Sequence, residues 1–404
     1  MKKVLLLILI LIVSAATLSA KSVYDGADPE TKKLIAEVDA CIYQKQYATA
    51  FGKLSAQNNE YVIAKRIEVA INYFVQSMMH QMFAFKNLDE DEDIYEVRRQ
   101  DGTYSLILYN PEDVIKKYVE ENGEKPILDY ALGLFYDDVR NRYGDKWLIT
   151  EDELNANASK YLLKAFEQGC YDAWSLSVLG TSLYRQEDYE QAIKIYETKE
   201  KEYNMSGTDN YHLGIIYWIV DQNEKGLEHI LLSVDQYEDN PEYQADSYIV
   251  AARIGLTMKD YEIAQKYLDI CYSKYPDDYR IYQYRVRLYA AQKMNKKAVE
   301  AGLVLFTYGV DNPKTCQLVM EGCNDYDNTN AALDFFKTAI KQYKKNDAAL
   351  GNLYFHYAYE YYLLENNSNA AKYAKEARKY FEKSGNMTDE IDGLLKQLCG
   401  ETTE

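Results

Sequence analysis

Small and bulky residues recur at a spacing of 34 through the middle of this chain, and that recurrence limits its fold more than any other feature. Leu179-Gly180 is followed by Leu183-Tyr184, then by Asp188-Tyr189, Ala192 and Tyr196. Leu213-Gly214 comes 34 residues later, with Tyr217-Trp218, Gly226 and Ile230 behind it. Ala192 to Gly226, Ala264 to Ala298 and Ala298 to Ala332 are also 34 apart. Small residues return where two helices must approach closely, and large ones where a neighbouring helix must be gripped. One short helix pair cannot bury its own apolar face, so such units stack on their neighbours. Only 6 prolines and 19 glycines interrupt the 404 residues, which excludes collagen-like and Pro/Gly-rich disordered chains. Hydrophobic residues at 47% are enough to build a core.

The pattern resembles the tetratricopeptide repeat (TPR) family, whose units read W-x2-L-G-x2-Y, then Ala, an aromatic and Ala, with Pro near the end. The stretch Tyr184-Arg185-Gln186-Glu187-Asp188-Tyr189-Glu190-Gln191-Ala192-Ile193 carries the likeness best. In family register, units begin at about Ala173, Gly207, Ala245, Tyr279, Pro313 and Gly351. Tyr261, Ala264 and Pro276 fit the third, and Ala332, Phe336 and Ala339 the fifth. An earlier unit carries Leu132-Gly133, Tyr136, Ala158, Leu162 and Ala165, and another near the start has Tyr43, Tyr47, Ala50 and Leu54. Two positions depart from the pattern: Lys199 stands where a small residue is usual, and Val286 where Gly is usual. The resemblance implies an all-α fold, a right-handed α-solenoid of TPR-like helix pairs over residues 126–385. The 41 tyrosines are then expected mainly in the layers between helices, ring inward and hydroxyl toward a polar partner.

The ends of the chain read differently. Met1-Lys2-Lys3, the apolar run Val4–Val13 and the small residues Ser14, Ala15, Ala16, Ser19 and Ala20 have the order of a secretory signal peptide over residues 1–20, cut after Ala20 or Ser22. Spanning a membrane takes about 20 apolar residues, so no span is expected after cleavage. Residues 21–125 read as an N-terminal helical region with one long helix over Tyr61–Phe85. Within it, Asp101-Gly102 between β-prone runs predicts a small β-hairpin insertion near residues 93–110. Asn110-Pro111-Glu112-Asp113 reads as a helix start. Residues 386–404 form a capping helix, Thr388–Leu398, and a tail.

The chemistry-bearing residues form few patterns. A net charge of −18 argues against nucleic acid, which is held by clustered Lys and Arg. The acidic run Asp89–Asp93 alternates like a calcium loop, but Ile94 and Gln100 stand where Gly and Glu are required. The six cysteines form no C-x-x-C and read as small buried residues. His80, His212, His229 and His356 form no metal-binding spacing. We therefore expect no enzyme, no metal and no cofactor.

The resemblance directs attention to the concave face, lined in that family by the first helix of each unit. Its register places Trp174, Tyr184 and Arg185 there, then Tyr211 and Trp218, then Arg253, then Arg280 and Arg287. Trp, Tyr and Arg are the usual anchors of protein interfaces. The alternative for the arginines is pairing with acids of adjacent repeats. The reading is an exported bacterial scaffold or adaptor, periplasmic or extracellular, that binds a protein or peptide partner in its groove. The other reading is a cell-envelope protein whose Tyr/Trp-rich groove binds a glycan or small ligand.

Overall fold

The computed structural model describes residues 22–74, 111–144 and 149–401. Every regular element among these residues is a helix, and none is a strand. That corrects the expected architecture: the fold described is all-helical with no β-hairpin, and residues 93–110, where the hairpin was placed, lie outside the described residues. Residues 1–20, where a signal peptide is expected, lie outside them too.

The chain forms two compact units, dividing between Ile216 and Tyr217. In the first, α1 (Pro29–Tyr43) pairs with α2 (Tyr47–Leu54), and α3 (Glu60–Val69) runs into a π-helical turn at Ala70–Phe74. The long helix expected over Tyr61–Phe85 is thus interrupted by that turn, and its remainder is outside the described residues. Then come α4 (Pro111–Asn122), the pair α5 (Pro126–Tyr143) and α6 (Glu151–Glu167), and the pair α7 (Ala173–Arg185) and α8 (Tyr189–Glu202). Helix α9 (Gly207–Ile219) contains the division. The second unit holds α10 (Asn223–Gln236) and three pairs: α11 (Pro241–Thr257) with α12 (Tyr261–Lys274), α13 (Tyr279–Ala291) with α14 (Asn295–Thr307), and α15 (Pro313–Asn324) with α16 (Thr329–Gln342). The pair α17 (Asp347–Leu363) and α18 (Asn367–Ser384) follows, and α19 (Asp389–Leu398) covers its end. No helix among the described residues is long and apolar enough to cross a membrane.

Helices α7, α9, α13 and α15 begin where the register placed them, whereas α11 and α17 begin one turn earlier. The Asn240 carboxamide accepts from the Tyr243 backbone N–H, with Pro241 in the first turn, and Asn346 accepts from Ala349 N–H. Each side-chain cap satisfies an orphan N–H and starts the helix ahead of the small residue that marks the repeat. First helices of 17 or 18 residues (α5, α11, α17) alternate with two successive shorter ones of 12 or 13.

The turns that follow α7, α9, α11, α13, α15 and α17 share one construction. Glu187, Asp221, Lys259, Lys293, Asp327 and Glu365 all have positive φ, and none is glycine. The N–H of the next residue returns to a carbonyl of the closing helix, as in Asp188 to Leu183 at 3.0 Å and Asp260 to Gly255 at 2.9 Å. Asp188 and Asp260 then cap the following helix with their own carboxylates.

The periodic small residues sit at the helix crossings. Ala192, Ala264 and Ala332 are fully buried. A Cβ on Gly180 would lie 2.6 Å from the Tyr196 ring, and one on Gly351 would lie 2.8 Å from Phe381. The two departures are compensated locally. Val286 is buried, and the small residue is supplied from α15, where a Cβ on Gly322 would meet Val286 at 3.1 Å. Lys199 is buried, and its ammonium donates to Asp209 Oδ2 at 2.5 Å and to Ser177 Oγ. The tyrosines divide: Tyr130, Tyr196, Tyr217 and Tyr248 are buried, while Tyr243, Tyr279, Tyr308 and Tyr362 are exposed, so the layer role holds for part of them. Cys271, Cys316 and Cys323 are buried free thiols, and burial pushes Cys271 and Cys323 up to about 12.

Candidate functional site

In the first unit, the segment Ser22–Tyr24, Asp39 of α1, the faces of α3 and α5 and the start of α7 line an open hollow of about 720 Å3. That volume is within the ordinary range of ligand sites, roughly 300–1,000 Å3. Its wall is acidic, with Asp39, Glu68, Asp137, Asp138 and Asp172, and Lys65 is its one basic residue among the described residues. Lys65 Nζ lies 2.7 Å from both Asp39 and Glu68, and the Tyr24 hydroxyl donates to Glu68 at 2.8 Å. Arg140 donates to Asp137 at 2.8 Å, and the Tyr130 hydroxyl donates to Asp172 at 2.8 Å. Burial pushes the Asp137 and Asp138 carboxyls up, against the pull of Arg140 and Arg142. Trp174 stands at the rim, 64% exposed.

The other sequence-selected residues of this unit take different positions. Tyr184 is half-buried and stacks on His212, ring centroids 4.9 Å apart, so it serves packing. Burial holds His212 down at about 4, so the ring between Tyr184 and Tyr196 is neutral. Tyr211 meets the same imidazole edge-on at 6.2 Å. Arg185 lines a second hollow with Arg140, Asn155 and Gln186, its Nη1 3.8 Å from Glu151.

In the second unit the three sequence-selected arginines divide by what they touch. Arg280 donates to Asp246 at 2.5 Å and to Asp278 at 2.7 Å, and Arg287 donates to Asp325. Both are held by acids of the chain itself. Arg253, on α11, is different. Its guanidinium lies 4.6 Å from the Trp218 ring and 5.7 Å from the Tyr284 ring. No carboxylate of the described residues reaches it. Trp218 is fixed in turn, its indole N–H donating to Thr257 Oγ1 at 3.1 Å, while that hydroxyl donates to the Arg253 carbonyl. Sequence reasoning selected Trp218 and Arg253 but missed Tyr284 and Thr257. Tyr284 falls outside the register positions assigned to the groove, and Thr257 acts only through Trp218. No cluster of His, Cys, Asp and Glu able to hold a metal occurs among the described residues.

No protein-family model matches the sequence, and no curated protein matches it. Solved structures of similar fold include a tetratricopeptide repeat protein from Parabacteroides merdae, at 15% identity and TM-score 0.42, covering 65% of this chain and 98% of that one. The C-terminal part of a TPR repeat-containing protein from Cytophaga hutchinsonii is similar at 14% identity and TM-score 0.41, covering 65% and 99%. The apo form of RapI is similar at 13% identity and TM-score 0.42, covering 89% and 100%.

Proposed function

We propose that this chain is an exported scaffold or adaptor that holds a protein or peptide partner against its first-helix faces. The observation that carries the reading is the Trp218–Arg253–Tyr284 cluster, an interface-type group whose charge no carboxylate of the described residues neutralises. The exposed Trp174 beside the first unit's cavity supports it. Immobilised chain should capture a partner from the envelope fraction of its host, and an Arg253→Glu, Arg287→Glu double variant should lose it. Identical capture by that variant would remove the first-helix faces from the account. Fractionation of the host and N-terminal sequencing of the recovered chain test export and cleavage.

The glycan reading is supported by Tyr359 and Tyr362, both exposed, with stacked rings 6.3 Å apart. A glycan array without binding would dispose of it.

A further inference from the structure

Along the second unit, the second helices change the charge that they show to solvent. Helix α10 exposes Glu224, Glu228 and Asp235 against Lys225, as expected of an acidic chain. Helix α16 reverses this. Lys337 and Lys341 stand one turn apart, Lys344 and Lys345 follow in the turn behind the helix, and Asp334 is its one acid. On α18, Lys372, Lys375, Lys379 and Lys383 recur at steps of three and four. All eight lysines are exposed. Helical periodicity sets each row opposite a buried one: Phe335, Phe336 and Ala339 on α16, and Ala370, Ala374 and Ala377 on α18. The two helices are neighbours, because the Tyr357 ring of α17 lies 5.8 Å from the Phe336 ring of α16 and 4.4 Å from the Tyr373 ring of α18.

Nearby cations do find acids: Arg378 holds Asp392, and Lys379 reaches Glu376 at 3.5 Å. No carboxylate of the described residues pairs with the other seven lysines, although the chain carries 64 acids. Tyr373 and Tyr380 lie under Lys372, Lys379 and Lys383, and a ring leaves the charge uncancelled.

We propose that the outward face of α16 and α18 is a docking surface for an anionic lipid bilayer, on which the chain lies peripherally. Charge selects the occupant. No large apolar side chain on either helix is exposed, so the face lacks the aromatic anchors of a protein interface. Its cations are lysines, point charges without the guanidinium fork that reads one phosphate at a time. Two rows on neighbouring rods of about 21 and 27 Å suit a plane of headgroups better than a single polymer strand. Each lysine near such a plane strengthens binding about fivefold. Repulsion from acids elsewhere in the chain fades within about 8 Å at physiological salt, so the patch acts although the whole chain is negative. The first-helix faces take no part in this docking, so peptide capture and bilayer binding succeed or fail separately.

The test is co-sedimentation of the purified full chain with vesicles of phosphatidylcholine alone, or of phosphatidylcholine and phosphatidylglycerol in equal parts. Binding to the anionic vesicles should exceed that to the neutral ones at least tenfold, and should vanish in about 1 M salt, where the Debye length is about 3 Å. The neutral vesicles also register any adhesion by the apolar run Val4–Val13. A Lys337→Gln, Lys341→Gln, Lys372→Gln, Lys375→Gln variant should lose at least tenfold in anionic binding with its melting curve unchanged. A Lys225→Gln, Lys266→Gln, Lys296→Gln, Lys297→Gln variant, altered on α10, α12 and α14, should keep it. Both variants change the net charge equally, so position alone separates them. Equal binding to the two kinds of vesicle, equal loss in the two variants, or no binding at all would overturn the assignment. So would a chain that ignores vesicles but is held by heparin beads at the same salt, which would make the occupant a soluble polyanion.

Discussion

Lys199 is the residue where the repeat pattern and the physics of burial conflict most sharply. A bare ammonium inside a helix layer is too costly to keep without a counter-charge. Here Asp209 faces it at 2.5 Å and also accepts from the Ser177 and Ser206 hydroxyls. Burial pushes the Asp209 carboxyl up, but Lys199 and the serines more than offset this and hold it below its ordinary value. Asp209→Asn leaves the ammonium buried and unpaired, and should cost about 3–5 kcal/mol in urea unfolding. His356 gives a pH effect with a definite sign. Burial lowers its pKa from 6.5 to about 4, although its bond to the Asn352 carbonyl pulls the other way. Above pH 6.5 the ring is neutral whether folded or not. Between 6.5 and 4 the unfolded chain takes up a proton that the folded chain refuses, so stability falls as pH falls, by up to about 3 kcal/mol. Subtracting the unfolding profile of His356→Leu from that of the wild type isolates the term, and a flat difference across that window would refute it. Neither network was legible beforehand. Lys199 looked like a flaw in the repeat because its partner lies across a turn on the next helix.

Between residues and repeats, the recurring device is the closing turn with a non-glycine residue at positive φ. An L-residue in the left-handed region carries roughly 1–2 kcal/mol of steric strain that glycine avoids. Lys259 is exposed and has positive φ, so Lys259→Gly should stabilise the chain by about 0.5–1 kcal/mol, read as a higher urea midpoint at unchanged slope. A lower midpoint would mean that the lysine makes a contact worth more than its strain. The pairs themselves were readable because close crossings demand small residues: Gly180 has no room for a methyl against Tyr196. The extra first turns of α11 and α17 were not read, because Ala245 and Gly351 mark where helices touch, whereas Asn240 and Asn346 mark where they start. At the candidate site, Arg253 and Trp218 followed from register, but which arginine stays free depends on acids such as Asp246 and Asp325 that only the folded chain brings alongside.

A stacked array is stabilised by nearest neighbours, so its ends matter more than in a globular core. Helix α19 buries Leu395 and Leu398 against Ala374, Ala377 and Phe381, and its Asp392 pairs with Arg378. Ending the chain at Asn386 should remove roughly 3–6 kcal/mol of burial, seen as a lower melting temperature and faster proteolysis of α18. An unchanged melt would show that α18 needs no cover. The alternation of first-helix lengths reaches further, because the two Asn-capped long rods, α11 and α17, stand two shorter ones apart. Three hairpins, not one, are then the interval at which an Asn-capped long rod returns. Splicing Asp239 directly onto Asn346 deletes one such trio and lets one capped rod replace another; the shortened protein should still melt cooperatively, as a lineage that grew by copying trios would require.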